Sequence, residues 1–119
     1  MVLYERERTL IVEMGKKLLA SGLTEGTGGN LSISVEPGKA FLISPSGMDY
    51  NSILPKDVVL LDWDGEILEG SRTPSSEWEL HREAYNVRSE ARGVVHTHSP
   101  YATAFSCLGK DLPAVHYLI

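Results

Sequence analysis

Between about residues 31 and 68 the chain never runs more than four apolar residues together, and each apolar stretch stops at a turn. Leu31–Val35 and Ala40–Ser44 flank Glu36-Pro37-Gly38-Lys39. Pro45-Ser46-Gly47 turns the chain again, Asp57–Asp62 sets Val-Val-Leu-Leu between acids, and Asp64-Gly65 leads back into Glu66–Leu68. Strands this short, joined by turns this tight, form antiparallel hairpins. A parallel pair would need a crossover of roughly a dozen residues between its strands.

Helices bracket the hairpins. Over Leu3–Ala20, Ile11, Met14 and Leu18 make an apolar line with Val12 and Leu19 as a shoulder, while Glu5–Arg8, Glu13, Lys16 and Lys17 fall on the polar face. Gly15 inside this helix costs about 1 kcal/mol against Ala, so the helix relies on packing. Ser21-Gly22 is its stop. A second helix is predicted from Ser76, with Glu79 at capping-box spacing and Pro74 at its entry. Leu80, Ala84 and Val87 form its apolar line, with Trp78, His81 and Tyr85 beside them. Gly93–His96 reads as a short buried strand, Ser99-Pro100 opens a third helix to about Cys107, and Leu112–Ile119 reads as a last strand. Helices interleaved with hairpins predict one layered α/β domain rather than a strict βαβ array.

Charge narrows the function classes. Among 119 residues, 11 Lys and Arg against 16 Asp and Glu leave a net charge of −5. A duplex-binding module needs clustered basic residues, so no nucleic-acid partner is expected. No apolar run approaches the about 18 residues of a membrane span, and the charged start has no signal-peptide core, so no membrane partner is expected. Cys107 is the lone cysteine, which fits a reducing, cytoplasmic setting.

Four short segments could carry chemistry. In His96-Thr97-His98, positions i and i+2 of a strand share a face, so two imidazoles can converge on a divalent metal, zinc first. The plainer reading is two polar residues where a strand leaves the core. His81 or His116 could add a third ligand, but nothing local recommends either. Pro74-Ser75-Ser76-Glu77-Trp78 puts two hydroxyls and a carboxylate at a helix start, where unpaired N–H groups favour an anion, or merely caps a helix. Gly26-Thr27-Gly28-Gly29-Asn30 follows a helix and precedes a strand, the reverse of the dinucleotide fingerprint, and it lacks the P-loop lysine. Its bare amides can still form an anion nest. Ser44-Pro45-Ser46-Gly47 is by composition an ordinary turn.

Taken in order, GTGGNLS, ISPSGMDY, PSSEWELH and VVHTHSPYATA resemble the class II aldolase/adducin family, most closely its L-fuculose-1-phosphate aldolase branch. The resemblance covers nearly the whole of residues 1–119. It implies a three-layer α/β/α sandwich with a mainly antiparallel central sheet. It implies that Gly28, Gly29, Asn30, Ser46, Gly47, Ser75 and Ser76 bind a substrate phosphate, and that His96 and His98 are Zn2+ ligands. Glu77 would be the acid/base beside the metal, and Tyr117, after His116, would reach a neighbouring subunit's site in a homotetramer. The implied reaction is cleavage of a ketose 1-phosphate, such as L-fuculose 1-phosphate, into dihydroxyacetone phosphate and an aldehyde. An acidic chain without a basic cluster fits that reading, since amides and hydroxyls would meet the phosphate. No Schiff-base lysine is required, and Lys16, Lys17, Lys39, Lys56 and Lys110 read as solvated. A pentulose-phosphate 4-epimerase, a methylthioribulose-1-phosphate dehydratase and a non-catalytic adducin-like interaction domain are the alternatives. Glu77 rather than Asp favours aldolase over epimerase, the Ser75-Ser76 pair leans away from the dehydratase, and the presence of Glu77, His96 and His98 speaks against the third. The family's later zinc histidine has no counterpart here, because only His116 follows His98 and it lies too close. The chain is therefore expected to be the N-terminal part of the fold, binding metal weakly and cleaving no ketose phosphate on its own.

Overall fold

All four residues of Ala40–Ile43 are buried. Successive side chains of a strand point to opposite faces, so this strand is covered on both sides, and that alone sets a layered architecture. In the computed structural model, which describes residues 2–117, helix α1 (Glu5–Ala20) is followed by strands β1 (Asn30–Glu36) and β2 (Ala40–Ile43). A single 3-10 turn (Pro55–Asp57), β3 (Val59–Asp62), β4 (Ile67–Glu69), α2 (Trp78–Val87), β5 (Gly93–His96) and α3 (Pro100–Ser106) complete the order. The strands form one sheet, β4-β3-β2-β1-β5, antiparallel throughout.

Each face has its own core. On one, Ile11, Val12 and Leu18 of α1 pack on Leu31, Leu42 and Leu60, with Tyr50 and Ile53 from the loop after β2. On the other, Phe41, Ile43, Val59 and Leu61 lie under Tyr85 of α2, with Trp63 and Trp78 packed at the edge. Helix, antiparallel sheet and helix make the three layers expected from the resemblance. Among the described residues no helix is long and apolar enough to cross a membrane.

Several local expectations fail for physical reasons. Arg8, assigned to the polar face of α1, is fully buried. Its guanidinium donates to the carbonyls of Leu3 and Val58 and pairs with Glu69 at 2.8 Å, tying α1 to the β3–β4 end of the sheet. Met14, assigned to the apolar line, is exposed. In α2 the expected apolar line is turned outward: Leu80 is 52% and Val87 78% exposed, while His81 and Tyr85 point in. The cause lies in β1, whose inward face here is Ser32 rather than an apolar residue and bonds both His81 and Tyr85. The Ser76–Glu79 capping box does not form; α2 begins at Trp78 without a side-chain cap, and the Ser75 hydroxyl accepts the Glu77 N–H instead. The start of the predicted strand at Asp57 is the 3-10 turn, whose Asp57 carboxylate takes the Leu54 N–H and Arg72. The strand β5 is an edge strand, only partly buried, because among the described residues its sole sheet partner is β1 and Val95 lies open. The helix α3 buries none of its residues. Residues 112–117 form no strand, and the Leu118-Ile119 end of that expected strand lies outside the described residues.

Gly15 has a specific cause. A Cβ there would stand 2.3 Å from Cδ1 of Tyr50, a side chain that is 3% exposed and donates its hydroxyl to the Gly29 carbonyl at 2.8 Å. The bare α1 surface therefore lets Tyr50 reach and hold the glycine loop. Gly15→Ala should gain about 1 kcal/mol in helix propensity. It should lose more, netting a destabilisation of about 1–3 kcal/mol, because an extra methyl in a packed core forces its neighbours off their places. Thermal melting reads this directly, and a raised Tm would show that Tyr50 yields freely.

Candidate functional site

The two serine-bearing turns are sewn to each other. The Ser75 N–H donates to the Ser44 carbonyl at 3.0 Å, the Ser46 N–H donates to the Thr73 carbonyl at 2.9 Å, and Pro45 bridges Pro74 antiparallel. Ser46 and Gly47 are thereby set beside Ser75 and Ser76. The glycine loop closes from the other side. Gly29 has φ +73°, and a Cβ there would lie 2.8 Å from the His96 carbonyl; a Cβ on Gly28 would lie 2.9 Å from Thr24 Oγ1 and 3.0 Å from His98 Nδ1. Only glycine permits the loop to press so closely on the His96–His98 segment.

The result is a cleft of about 240 Å³. The loop residues Gly28, Gly29 and Asn30 form one wall, Ser46 and Gly47 another, Ser75, Ser76 and Glu77 a third, and His98 closes it. Every residue expected to hold phosphate lines this one space. It offers amides and hydroxyls and no Lys or Arg, and all five lysines are exposed elsewhere. Under the loop, Thr24 Oγ1 is buried without a hydrogen-bond partner, a polar atom whose cost would be relieved by a bound group or water.

Beside the cleft lies a carboxylate–imidazole cluster. Asn30 stands directly opposite His96 in the β1–β5 pairing, so their side chains share a face. Glu77 Oε2 accepts from Asn30 Nδ2 at 2.6 Å and contacts His96 Nδ1 at 2.9 Å. The rings of His96 and His98 are 5.0 Å apart at 66°. His98 lies beyond the end of β5, so strand alternation does not place it; its N–H donates to the Leu23 carbonyl at 3.1 Å and holds it there. Asn30's hydrogen bond holds the Glu77 carboxyl below the usual carboxylate range; burial opposes this and the two imidazoles support it. Glu77 therefore rests ionised at neutral pH.

Behind Asn30 sits His81, fully buried, with Nε2 2.5 Å from Asn30 Oδ1 and Nδ1 2.7 Å from Ser32 Oγ. Burial, then the neighbouring His96 charge, pushes His81 down to about 4 against the pull of Glu77, so it is neutral at pH 7. It does not line the cleft and offers no free nitrogen to a metal there. Tyr117 is 88% exposed, lies against the His116 ring at 4.5 Å, and is not in the cleft of its own chain. Ser32, Tyr85, Tyr50 and Thr24 were not anticipated as parts of the site. The signal for the first was present: Asn30, Ser32 and Ser34 are polar at every second position of a strand whose alternate residues are apolar.

Among the described residues no three His, Cys, Asp or Glu side chains are grouped as a complete metal cage. The donor chemistry nevertheless fits a zinc-type ion in kind: two adjacent imidazoles with a carboxylate touching one of them.

Comparison with known proteins places the chain in a family. The family described as Class II Aldolase and Adducin N-terminal domain matches residues 9–119. A 5-deoxy-D-ribulose 1-phosphate aldolase of Bacillus thuringiensis serovar kurstaki is 51% identical over 118 residues, covering 99% of this chain and 55% of that protein. The L-fuculose phosphate aldolase of Escherichia coli K12 is 38% identical over 109 residues, covering 92% and 49%. A solved L-fuculose 1-phosphate aldolase superposes with a TM-score of 0.86 at 41% identity, over 95% of this chain and 53% of that one. The chain thus spans about half the length of the curated relatives it matches. With the antiparallel three-layer sandwich, the sewn turns and a match over nearly all its residues, the chain belongs to the class II aldolase and adducin N-terminal domain family.

Proposed function

We propose that this chain carries the phosphate-binding and proton-transfer half of a zinc-dependent aldolase that cleaves a deoxyketose 1-phosphate into dihydroxyacetone phosphate and an aldehyde. The observation that carries the reading is the junction of two chemistries. A neutral, amide- and hydroxyl-lined cleft opens directly onto an ionised carboxylate flanked by imidazoles. A dianionic phosphate can be met by N–H and O–H donors without lysine or arginine. Gly29, Gly47 and Ser76 supply amides, and Ser46, Ser75 and Ser76 hydroxyls, while Gly28, whose amide is given to the Glu25 carbonyl, shapes the wall; Asn30 adds its second Nδ2 hydrogen, the first being given to Glu77.

Cleavage moves one proton from the C4 hydroxyl to C3 while the C3–C4 bond breaks, and that bond's electron pair waits as an enediolate until C3 is protonated. Glu77 handles the proton at C3: it removes it in condensation and returns it in cleavage. Tyr117 of a second copy is assigned to the oxygen at C4, in a homotetramer with sites at subunit interfaces. His96 and His98 would hold the Zn2+ with Glu77 beside it, and the ion when bound would supply Lewis-acid polarisation of the ketose oxygens. Among substrates, 5-deoxyribulose 1-phosphate ranks first, and 5-methylthioribulose 1-phosphate and fuculose 1-phosphate follow, in line with the 51%, 40% and 38% identities of relatives named for them. The setting is the cytoplasm, where such sugar phosphates occur.

The test uses the chain itself. Adding dihydroxyacetone phosphate and Zn2+ to the 15N-labelled protein should move the amide signals of Gly29, Gly47 and Ser76 first. Signals that stay in place at millimolar ligand would remove the phosphate site. In the active protein, Ser46→Ala and Ser76→Ala should each raise KM for the phosphorylated ketose about tenfold, the loss of one charge-assisted hydrogen bond. An equal effect on the unphosphorylated sugar would make these serines structural.

A further inference from the structure

The amide of Asn30 has two orientations of nearly the same shape, and only one of them suits Glu77. A carboxylate oxygen can only accept, so at 2.6 Å it must face Nδ2 of Asn30 and not Oδ1. What fixes that choice lies on the far side of the amide. Asn30 Oδ1, which can only accept, meets His81 Nε2 at 2.5 Å, so Nε2 carries a hydrogen, and a fully buried ring whose two partners, Asn30 and Ser32, are uncharged carries no second one. His81 Nδ1 is then bare and accepts from Ser32 Oγ at 2.7 Å. Having spent its single hydrogen, Ser32 Oγ accepts from the Tyr85 hydroxyl at 2.6 Å. Four bonds therefore run in one direction, Tyr85 to Ser32 to His81 to Asn30 to Glu77, from the buried face of α2 to the edge of the cleft. Each donor has one acceptor, which is the condition under which a buried polar network specifies one geometry.

We infer that His81 is a positioning residue: in its Nε2–H form it locks the Asn30 amide with Nδ2 toward Glu77 and thereby fixes the carboxylate at the cleft. Both ring nitrogens are occupied and the side chain is fully buried, so His81 touches neither ligand nor solvent and acts only through Asn30. The 3.2 Å contact of His96 Nδ1 with Asn30 Oδ1 fits the same order: a carboxylate oxygen can only accept, so the Nδ1 that meets Glu77 Oε2 at 2.9 Å carries a hydrogen, and its neighbour on the amide is then the acceptor Oδ1. The expected consequence for turnover rests on the aldolase reading above; the hydrogen-bond order does not.

Two readouts separate these. Long-range 1H–15N correlation on the labelled chain at neutral pH should show His81 with Nε2 protonated and Nδ1 bare. The opposite tautomer, or an imidazolium, overturns the inference whether or not the protein turns over any sugar. In the active protein, His81→Leu should lower kcat about tenfold to a hundredfold with KM for the ketose phosphate little changed, and His81→Gln, which keeps an N–H near the place of Nε2, should restore most of it. Unchanged kcat in both, with both folded by thermal melting, overturns the role. Should the Leu variant fail to fold, Ser32→Ala takes its place: it frees the ring from one side, so the tautomer signals should become mixed and kcat should fall, and a single Nε2–H tautomer with unchanged kcat counts against the inference. Absence of turnover in the unmodified protein counts against the aldolase reading alone, and the tautomer still decides the present one.

Discussion

Glu77→Gln should lower turnover by about 10²–10⁴ while leaving binding of the ketose phosphate nearly unchanged. The substitution keeps length and planarity, and the Gln carbonyl can still accept from Asn30 Nδ2, so the cleft wall formed with Ser75 and Ser76 keeps its shape. What disappears is the group that gains and loses a proton. An amide has no ionisation near neutral pH and cannot carry a proton to or from C3. The split between the two kinetic constants is the diagnostic: kcat falls because the lost interaction belongs to the transition state, while KM holds because the phosphate contacts are untouched. A variant with near-normal kcat would reduce Glu77 to the residue that starts α2. A variant with raised KM and normal kcat would make it a substrate-binding group and not the acid/base.

How much of this could be read from the chain follows from which contacts are local. Turns and glycines were legible because they answer to the backbone: Pro37-Gly38, Asp64-Gly65 and Gly29 sit where turns or a positive φ require them. The hairpins followed, as did the two-sided burial of β2, since a run of four apolar residues between polar ones leaves no polar face. The phase of α2 was not legible. Leu80, Ala84 and Val87 form the better apolar line by composition, yet His81 and Tyr85 are inside because β1 presents Ser32 there. That preference arises only when a helix from residue 78 onward meets a strand from residue 30 onward. Arg8 was missed similarly: its guanidinium is satisfied by carbonyls and a carboxylate some fifty to sixty residues away. At the site, the three segments that line the cleft were singled out through the resemblance, and the structure shows what each alone did not: the Ser44–Ser75 and Ser46–Thr73 backbone bonds that unite two of them.

Replacing both His96 and His98 by Ala should abolish zinc binding, and the two single variants should each weaken it by more than about a hundredfold, the upper range for merely outer partners of a metal site. The geometry gives the two rings different duties. Nδ1 of His96 faces Glu77 Oε2 at 2.9 Å, which leaves Nε2 as its nitrogen for an ion and makes the carboxylate a partner of the kind that fixes a ligating imidazole's tautomer. Among the described residues His98 has no such carboxylate partner and is held by its backbone to Leu23, with its Nδ1 close over Gly28. Its orientation therefore depends on the glycine loop, and Gly28→Ala, whose Cβ would stand 3.0 Å from Nδ1, should weaken zinc binding without removing a donor. Elemental analysis after dialysis and calorimetric titration with Zn2+ measure these effects. Since Glu77 is engaged with His96 Nδ1, the two imidazoles alone fall short of the three protein ligands of a catalytic zinc, and the affinity of the 119-residue chain should itself be modest, lower than that of a protein supplying a further ligand. Undiminished zinc content in the double variant would take the metal away from this pair of histidines, and with it the assignment of Lewis-acid chemistry to the edge of the cleft.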